Sequence, residues 1–200
     1  DADDILFHLG DWSFGGIENI WEFRKQINCK NIHIITGNHD HHIERNHVLP
    51  NVVENIGGDL VDLNSLNLTA EIIEVKAQDL FSSVNKYLEV ELVEQMGKNK
   101  KAKRDRFVLF HYPIASFNNL GRGMMHLHGH IHTSTKNRVG KGRMLDVGVD
   151  GSLGFKPLSL REVNYLLENQ QPKTMLTHGE DYHELTSRVR RVINFFKNII

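Results

Sequence analysis

Short apolar runs that end at a glycine or proline turn recur along the chain. They are 5–9 before Gly10-Asp11, 31–36 before Gly37-Asn38, and 107–110 before His111-Tyr112-Pro113. Runs of this length, closed by turn residues, are typical of buried strands. In each case a polar side chain with metal-binding or acid–base capacity stands where the predicted strand ends.

The segment between the first two runs has the spacing of an amphipathic helix. Ile17, Ile20, Trp21 and Ile27 fall on one side, and charged residues fall on the other. Two strands joined by a crossover helix run parallel, so their carboxyl ends meet at one edge of the sheet. We therefore expect Asp11 and the pair Asn38-His39 to lie together, at the edge where open α/β sheets bind ligands.

The later part of the chain predicts further strands. Alternation over 88–93 and the apolar run over 106–111 indicate a hairpin around the basic run 98–106, and 144–150 reads as another strand. The basic run is interpreted as a solvated hairpin tip, with nucleic-acid contact as the alternative. A closing amphipathic helix over about 181–200 is typical of core packing or of an oligomer contact, and an exposed sheet edge offers a second route to an oligomer.

Composition narrows the class of protein. The 200 residues are 40% hydrophobic and 24% charged, with a formal net charge of −1 and one cysteine, Cys29. We predict one domain over 1–200 with its own core, and we expect neither a disordered nor a membrane-spanning protein. The near-zero net charge gives no general electrostatic attraction to nucleic acid or to an anionic membrane. We expect a cytoplasmic protein, because a single cysteine cannot form an internal disulfide.

The chain contains 13 histidines, and four of them alternate over 126–132. Alternation at period two would set all four on one face of a strand. Gly129 permits a tight turn, so we expect His130 and His132 to reach a shared cleft. His126 and His128 are predicted to stay in or beside the sheet.

The strand ends supply a set of oxygen and nitrogen donors without thiolate. The candidate metal ligands are Asp11, Asn38, His111, His130 and His132. Such a set suits Mn, Fe(II), Zn or Ni. Two cations about 3.5–4 Å apart can clamp both ends of an in-line displacement at phosphorus, so phosphoryl transfer fits the donors.

The order Gly10-Asp11, Gly37-Asn38-His39-Asp40, His111 and Gly129-His130-Ile131-His132 resembles the calcineurin-like metallophosphoesterase family, small bacterial and phage members included. The resemblance implies an α/β sandwich of two mixed sheets flanked by helices. It also implies two divalent ions, manganese favoured, with Asp11 as the bridging carboxylate. By position, Asn38, His111 and His130 complete the second metal site and His132 belongs to the first. His39 matches the histidine that assists the leaving oxygen, and Asp40 is its expected orienting partner.

The resemblance implies a hydrolase that splits phosphate mono- or diesters, small molecules or nucleotides, by a metal-activated hydroxide. The alternative is a binding or scaffold module of the same fold with little or no catalysis. One departure favours that alternative: the family's first strand ends in Asp-x-His, and Asp1-Ala2-Asp3-Asp4 cannot replace it. We therefore expect a chain without its natural beginning, in which the second site is complete and the first is depleted. We expect it to be a weak catalyst until a segment with that motif is restored.

Overall fold

The structure, a computed structural model, describes residues 2–54, 59–62, 73–94, 102–132, 142–150 and 155–168. These residues form an α/β protein. The strands are β1 (Ile5–His8), β2 (Asn31–Ile35), β3 (Val48–Glu54), β4 (Leu60–Asp62), β5 (Ile73–Lys76), β6 (Ser83–Asn85), β7 (Tyr87–Glu94), β8 (Lys103–Phe110), β9 (Met125–His128) and β10 (Arg143–Asp146). The α-helices are α1 (Glu18–Arg24), α2 (His41–Glu44) and α3 (Leu160–Glu168), and short 3-10 turns cover Ala77–Leu80 and Leu120–Arg122.

Within the described residues the strands form three sheets. The first has the order β1-β2-β6 and is parallel throughout, with Ile5 opposite Asn31 and His33 opposite Ser83. The second has the order β10-β9-β8-β7, in which β7 and β8 form an antiparallel hairpin and the other pairs are parallel. The third, β4-β3-β5, is antiparallel.

Alternation along β2 divides the interior into two hydrophobic cores. Ile32 and Ile34 point into a core shared with Ile20 of α1, Ile43 of α2 and residues of the third sheet. Ile35 points the other way, into a core shared with β8, β9, β10 and α3. The first sheet is therefore covered on both faces, which explains why its strands read as apolar runs.

Most predicted elements are confirmed where the structure describes them. The first two strands run parallel around α1, β7 and β8 pair antiparallel as the predicted hairpin requires, and His126 and His128 lie on β9 with 0% and 1% of their surfaces exposed. The strand predicted over 144–150 is shorter, since β10 ends at Asp146 and the chain turns after it. The α/β class is confirmed as well. The predicted closing helix at 181–200 lies outside the described residues, as does much of the hairpin tip. No helix in the described part of the chain is long and apolar enough to cross a membrane.

Burial of imidazole makes the fold sensitive to acid. Desolvation lowers the pKa of His126 to about 4, against the opposing hydrogen bonds to the Val108 and Tyr112 carbonyls, and desolvation likewise lowers the pKa of His8 to about 4. Both rings are then neutral in the folded state and titrate near 6.5 in the unfolded chain. Their contribution to stability is complete above pH 6.5 and is lost as pH falls toward 4.

We predict that wild-type protein loses about 3 kcal/mol more than His126→Gln when the pH is lowered from 7 to 4. Glutamine keeps a polar side chain but does not titrate in this range. Urea titrations of both proteins at several pH values measure the difference. Parallel pH profiles for the two proteins would show that His126 is not the buried group responsible.

Candidate metal centre

The site begins at the tight turn after β1. Gly10 has φ +93° and Asp11 has φ +55°, so the chain enters the left-handed region as it leaves the strand. A β-carbon on Gly10 would collide with the His111 ring, and one on Gly37 would collide with the Asp11 carboxylate. Glycine at both positions thus lets the two strand ends and the His111 ring approach one another.

The carboxylate of Asp40 holds this turn together. Its Oδ2 accepts hydrogen bonds from the amides of Asp11 and Gly37, each at 2.7 Å, and its Oδ1 accepts one from the Trp12 amide at 2.8 Å. Asp40 is 3% exposed, and burial raises the pKa of its carboxyl group while the three amides oppose that rise. Three backbone donors from two loops therefore converge on one buried carboxylate, which fixes Asp11 relative to Gly37.

His111 lies at the centre of the donor set and is 1% exposed. Its Nδ1 lies 2.7 Å from the carbonyl oxygen of Leu9. Because a carbonyl can only accept, Nδ1 carries the proton, and in the neutral ring Nε2 presents a lone pair. The residue directly after β1 thereby sets the tautomer of a ring that follows β8.

The Nε2 atom of His111 faces two side-chain oxygens and one nitrogen of a second imidazole. It lies 3.1 Å from Asn38 Oδ1, 3.2 Å from His130 Nδ1 and 3.4 Å from Asp11 Oδ2. Ligand atoms about 2.1 Å from a common ion stand roughly 3.0–3.4 Å apart at octahedral to tetrahedral angles. The three separations fall in that interval.

Asp11, His111 and His130 therefore form a possible metal-binding triad, with ligand atoms all within 4.8 Å of one another. Asn38 adds an amide oxygen to it. The donors are two nitrogens and two oxygens, which suits a divalent first-row ion.

Backbone strain accumulates at the same place. His130 has φ +70° and His132 has φ +49°, so with Asp11 three of the five predicted ligands adopt left-handed geometry. Such geometry is uncommon for residues other than glycine, although Asp and His tolerate it better than most, and it concentrates at functional sites. The Gly129 amide, 3.0 Å from the His111 carbonyl, anchors the turn that carries His130.

His132 has a separate partner. Its Nδ1 is hydrogen-bonded to Asp150 Oδ2, and this bond is the main reason that its pKa is raised. The two side chains are 58% and 39% exposed, and His132 lies outside the triad. Its assignment to a first metal stays a prediction.

His39 stands at the exposed edge of the site. Its amide donates to Asp11 Oδ1 at 3.0 Å, and its ring centroid lies 4.8 Å from that of the exposed Phe14. Among the described residues, the hydrogen bonds of the Asp40 carboxylate go to the three amides above, and none joins it to the His39 ring. The structure thus shows Asp40 holding the turn; a role in orienting the imidazole stays a prediction.

Sequence reasoning brought together Asp11, Asn38, His111 and His130, and the structure places these four side chains in contact. It missed two neighbours. The sequence pattern places Tyr112 only in a turn, although its ring centroid is 4.6 Å from that of His130, and it places Asp150, the partner of His132, only at the end of the strand predicted over 144–150. The sequence signal for Tyr112 is its position directly after His111, a predicted ligand.

Comparison with protein-family models, with curated proteins and with solved structures gives no match. The function of the site must therefore be inferred from its geometry.

Proposed function

We propose that this protein is a metal-dependent phosphoesterase of the calcineurin-like metallophosphoesterase type. The observation that carries the proposal is the convergence of Asn38 Oδ1, His130 Nδ1 and Asp11 Oδ2 on Nε2 of His111. Because Nδ1 of His111 faces the Leu9 carbonyl, Nε2 of the neutral ring presents its lone pair toward these atoms. A divalent cation fits the donors and their spacing.

The side chains fall into distinct roles under this proposal. Asp11, Asn38, His111 and His130 would hold one cation, and Asp11 with His132 would contribute to a second, manganese being favoured for both. Divalent cations at such a site neutralise charge on a phosphate and make a nucleophile available at neutral pH. His39 would donate a proton to the leaving oxygen, from the solvent-facing side where an ester can enter.

The architecture supports the same class. The apolar core around Ile35 and Phe107 lies between the parallel first sheet and the mixed second sheet, as in a sandwich of two sheets. The strand ends of β1 and β2 and the segment after β8 then meet at one edge. A sandwich flanked by helices, with its ligands at that edge, is the arrangement that we propose for the whole domain.

Binding of Mn²⁺ tests the proposal directly. Titration followed by electron paramagnetic resonance is expected to show a cation bound by wild type and lost in His111→Ala. His33→Ala is the matched control, because His33 lies on β2 and its ring bonds Ser83 at 2.8 Å. Retention of the ion in His111→Ala, or no binding by wild type, would overturn the proposal, and binding without turnover of any phosphate ester would favour a scaffold.

We predict that His39→Ala leaves the Mn²⁺ content nearly unchanged and lowers turnover of a phosphate ester by about 10²–10⁴-fold. The reason is that its ring would serve the leaving oxygen, whereas only its amide contacts a proposed ligand. Metal analysis and initial rates, with His33→Ala alongside, measure both quantities. A variant that lost its metal instead would place the His39 ring among the ligands.

A further inference from the structure

A cavity of about 330 Å³ opens beside the metal triad. Its walls include Asn38, His41, Glu44, Lys86, Phe110 and Tyr112. Asn38 belongs to both places, since its Oδ1 faces His111 Nε2. A molecule with one end at the triad can therefore place its other end in this cavity, whose volume lies in the range of small-molecule sites.

One wall of the cavity is aromatic and continuous with the triad. The ring centroid of Tyr112 lies 4.6 Å from that of His130, 4.8 Å from that of His111 and 5.5 Å from that of Phe110. Phe110 in turn lies 6.1 Å from Tyr87. Phe110 and Tyr112 are half-buried, so both offer ring surface to a ligand while the chain holds their orientation.

Another part of the cavity lining carries a neutralised carboxylate. Glu44 Oε1 accepts a hydrogen bond from the Thr36 hydroxyl at 2.8 Å, and Glu44 Oε2 lies 3.0 Å from the Lys86 ammonium. The pair leaves no net charge to attract a second anion, and the carboxylate keeps lone pairs free to accept from N–H or O–H groups. The wall therefore favours an uncharged group with hydrogen-bond donors over a second phosphate.

We infer that this cavity binds the nucleoside part of a nucleoside 5′-monophosphate, with the base against Phe110 and Tyr112 and the phosphate at the triad. The inference rests on the proposed function, because the triad must accept the phosphate. A planar base matches the aromatic wall, and its amino group or the ribose hydroxyls match Glu44.

Calorimetric titration in Mn²⁺ with adenosine 5′-monophosphate and with ribose 5-phosphate tests the inference. The two ligands share a primary phosphate ester and differ at the base, so their affinity ratio isolates the aromatic wall. We expect the nucleotide to bind at least about tenfold more tightly, the range of one base stacked on an aromatic residue. Phe110→Leu should reduce the ratio to about two, whereas Phe23→Leu, a surface change on α1, should leave it unchanged.

The outcomes separate this inference from the proposed function. Equal affinities of the two ligands for wild type overturn the nucleoside site and leave the phosphate site standing; that comparison needs no variant to fold. Failure of both ligands to bind overturns the proposed function. Saturation-transfer NMR with adenosine alone then tests whether the cavity binds a nucleoside. Adenosine contacts that disappear in Phe110→Leu support the nucleoside site, and the absence of contacts in wild type overturns it.

Discussion

Asp11→Asn is expected to lower turnover of a phosphate ester by about 10³-fold or more, a larger effect than the loss of His111 or His130. Asp11 Oδ2 lies 3.4 Å from His111 Nε2, and Asp11 Oδ1 accepts from the His39 amide at 3.0 Å. Asparagine keeps the shape, tolerates φ +55° and retains one acceptor, so the turn should survive. The substitution removes the negative charge of the Asp11 carboxylate. Losing several kcal/mol of charge stabilisation lowers the rate by the factor given above.

Rates and Mn²⁺ content measured together identify the cause of the effect. His130→Ala should be less damaging than Asp11→Asn, because His130 is proposed to hold one cation whereas Asp11 is proposed to contact two. Asp105→Asn is the control: Asp105 lies on β8, where it pairs with Lys103 and Asn164. Wild-type turnover by Asp11→Asn, with its metal retained, would contradict the bridging role.

Asp40→Ala is expected to lower the free energy of unfolding by about 3–5 kcal/mol. The substitution leaves the amides of Asp11, Trp12 and Gly37 without their common acceptor at a position that is 3% exposed. The buried amides of Trp12 and Gly37 lose their bonds without regaining water, so the cost exceeds that of one ordinary hydrogen bond. Urea denaturation of the metal-free protein measures the change without any contribution from bound cation.

Asp79→Ala is the matched control for Asp40→Ala. Asp79 is exposed and accepts one amide, that of Lys76 at 2.8 Å, so its loss should cost only about 1 kcal/mol. Asp40→Asn should fall between the two, because asparagine retains one acceptor oxygen but turns its NH₂ toward a donor. Equal stability of Asp40→Ala and Asp79→Ala would show that water replaces the carboxylate.

The parallel pairing of the first two strands and the identity of the clustered donor residues could be predicted because both depend on local pattern. Apolar runs closed by Gly10 and Gly37, with α1 between them, require parallel strands whose ends coincide, and this placed Asp11 beside Asn38. The pairing of β3, β4 and β5 could not be predicted, because antiparallel partners from different parts of the chain carry no local mark of their neighbour. The cavity beside the triad could not be predicted for the same reason, because its walls come from α2 and from residues around β6 and β8.

The sequence by itself determined the α/β class, the buried strands and the donor set, since each depends on residue type and spacing along one stretch of chain. Only the tertiary structure decided how the donors are held. The Leu9 carbonyl selects the tautomer of a histidine 102 residues away, and Asp40 gathers amides from two loops. These bonds depend on two sheets packing through the core around Ile35 and Phe107, a long-range burial of apolar surface that no local window of residues encodes.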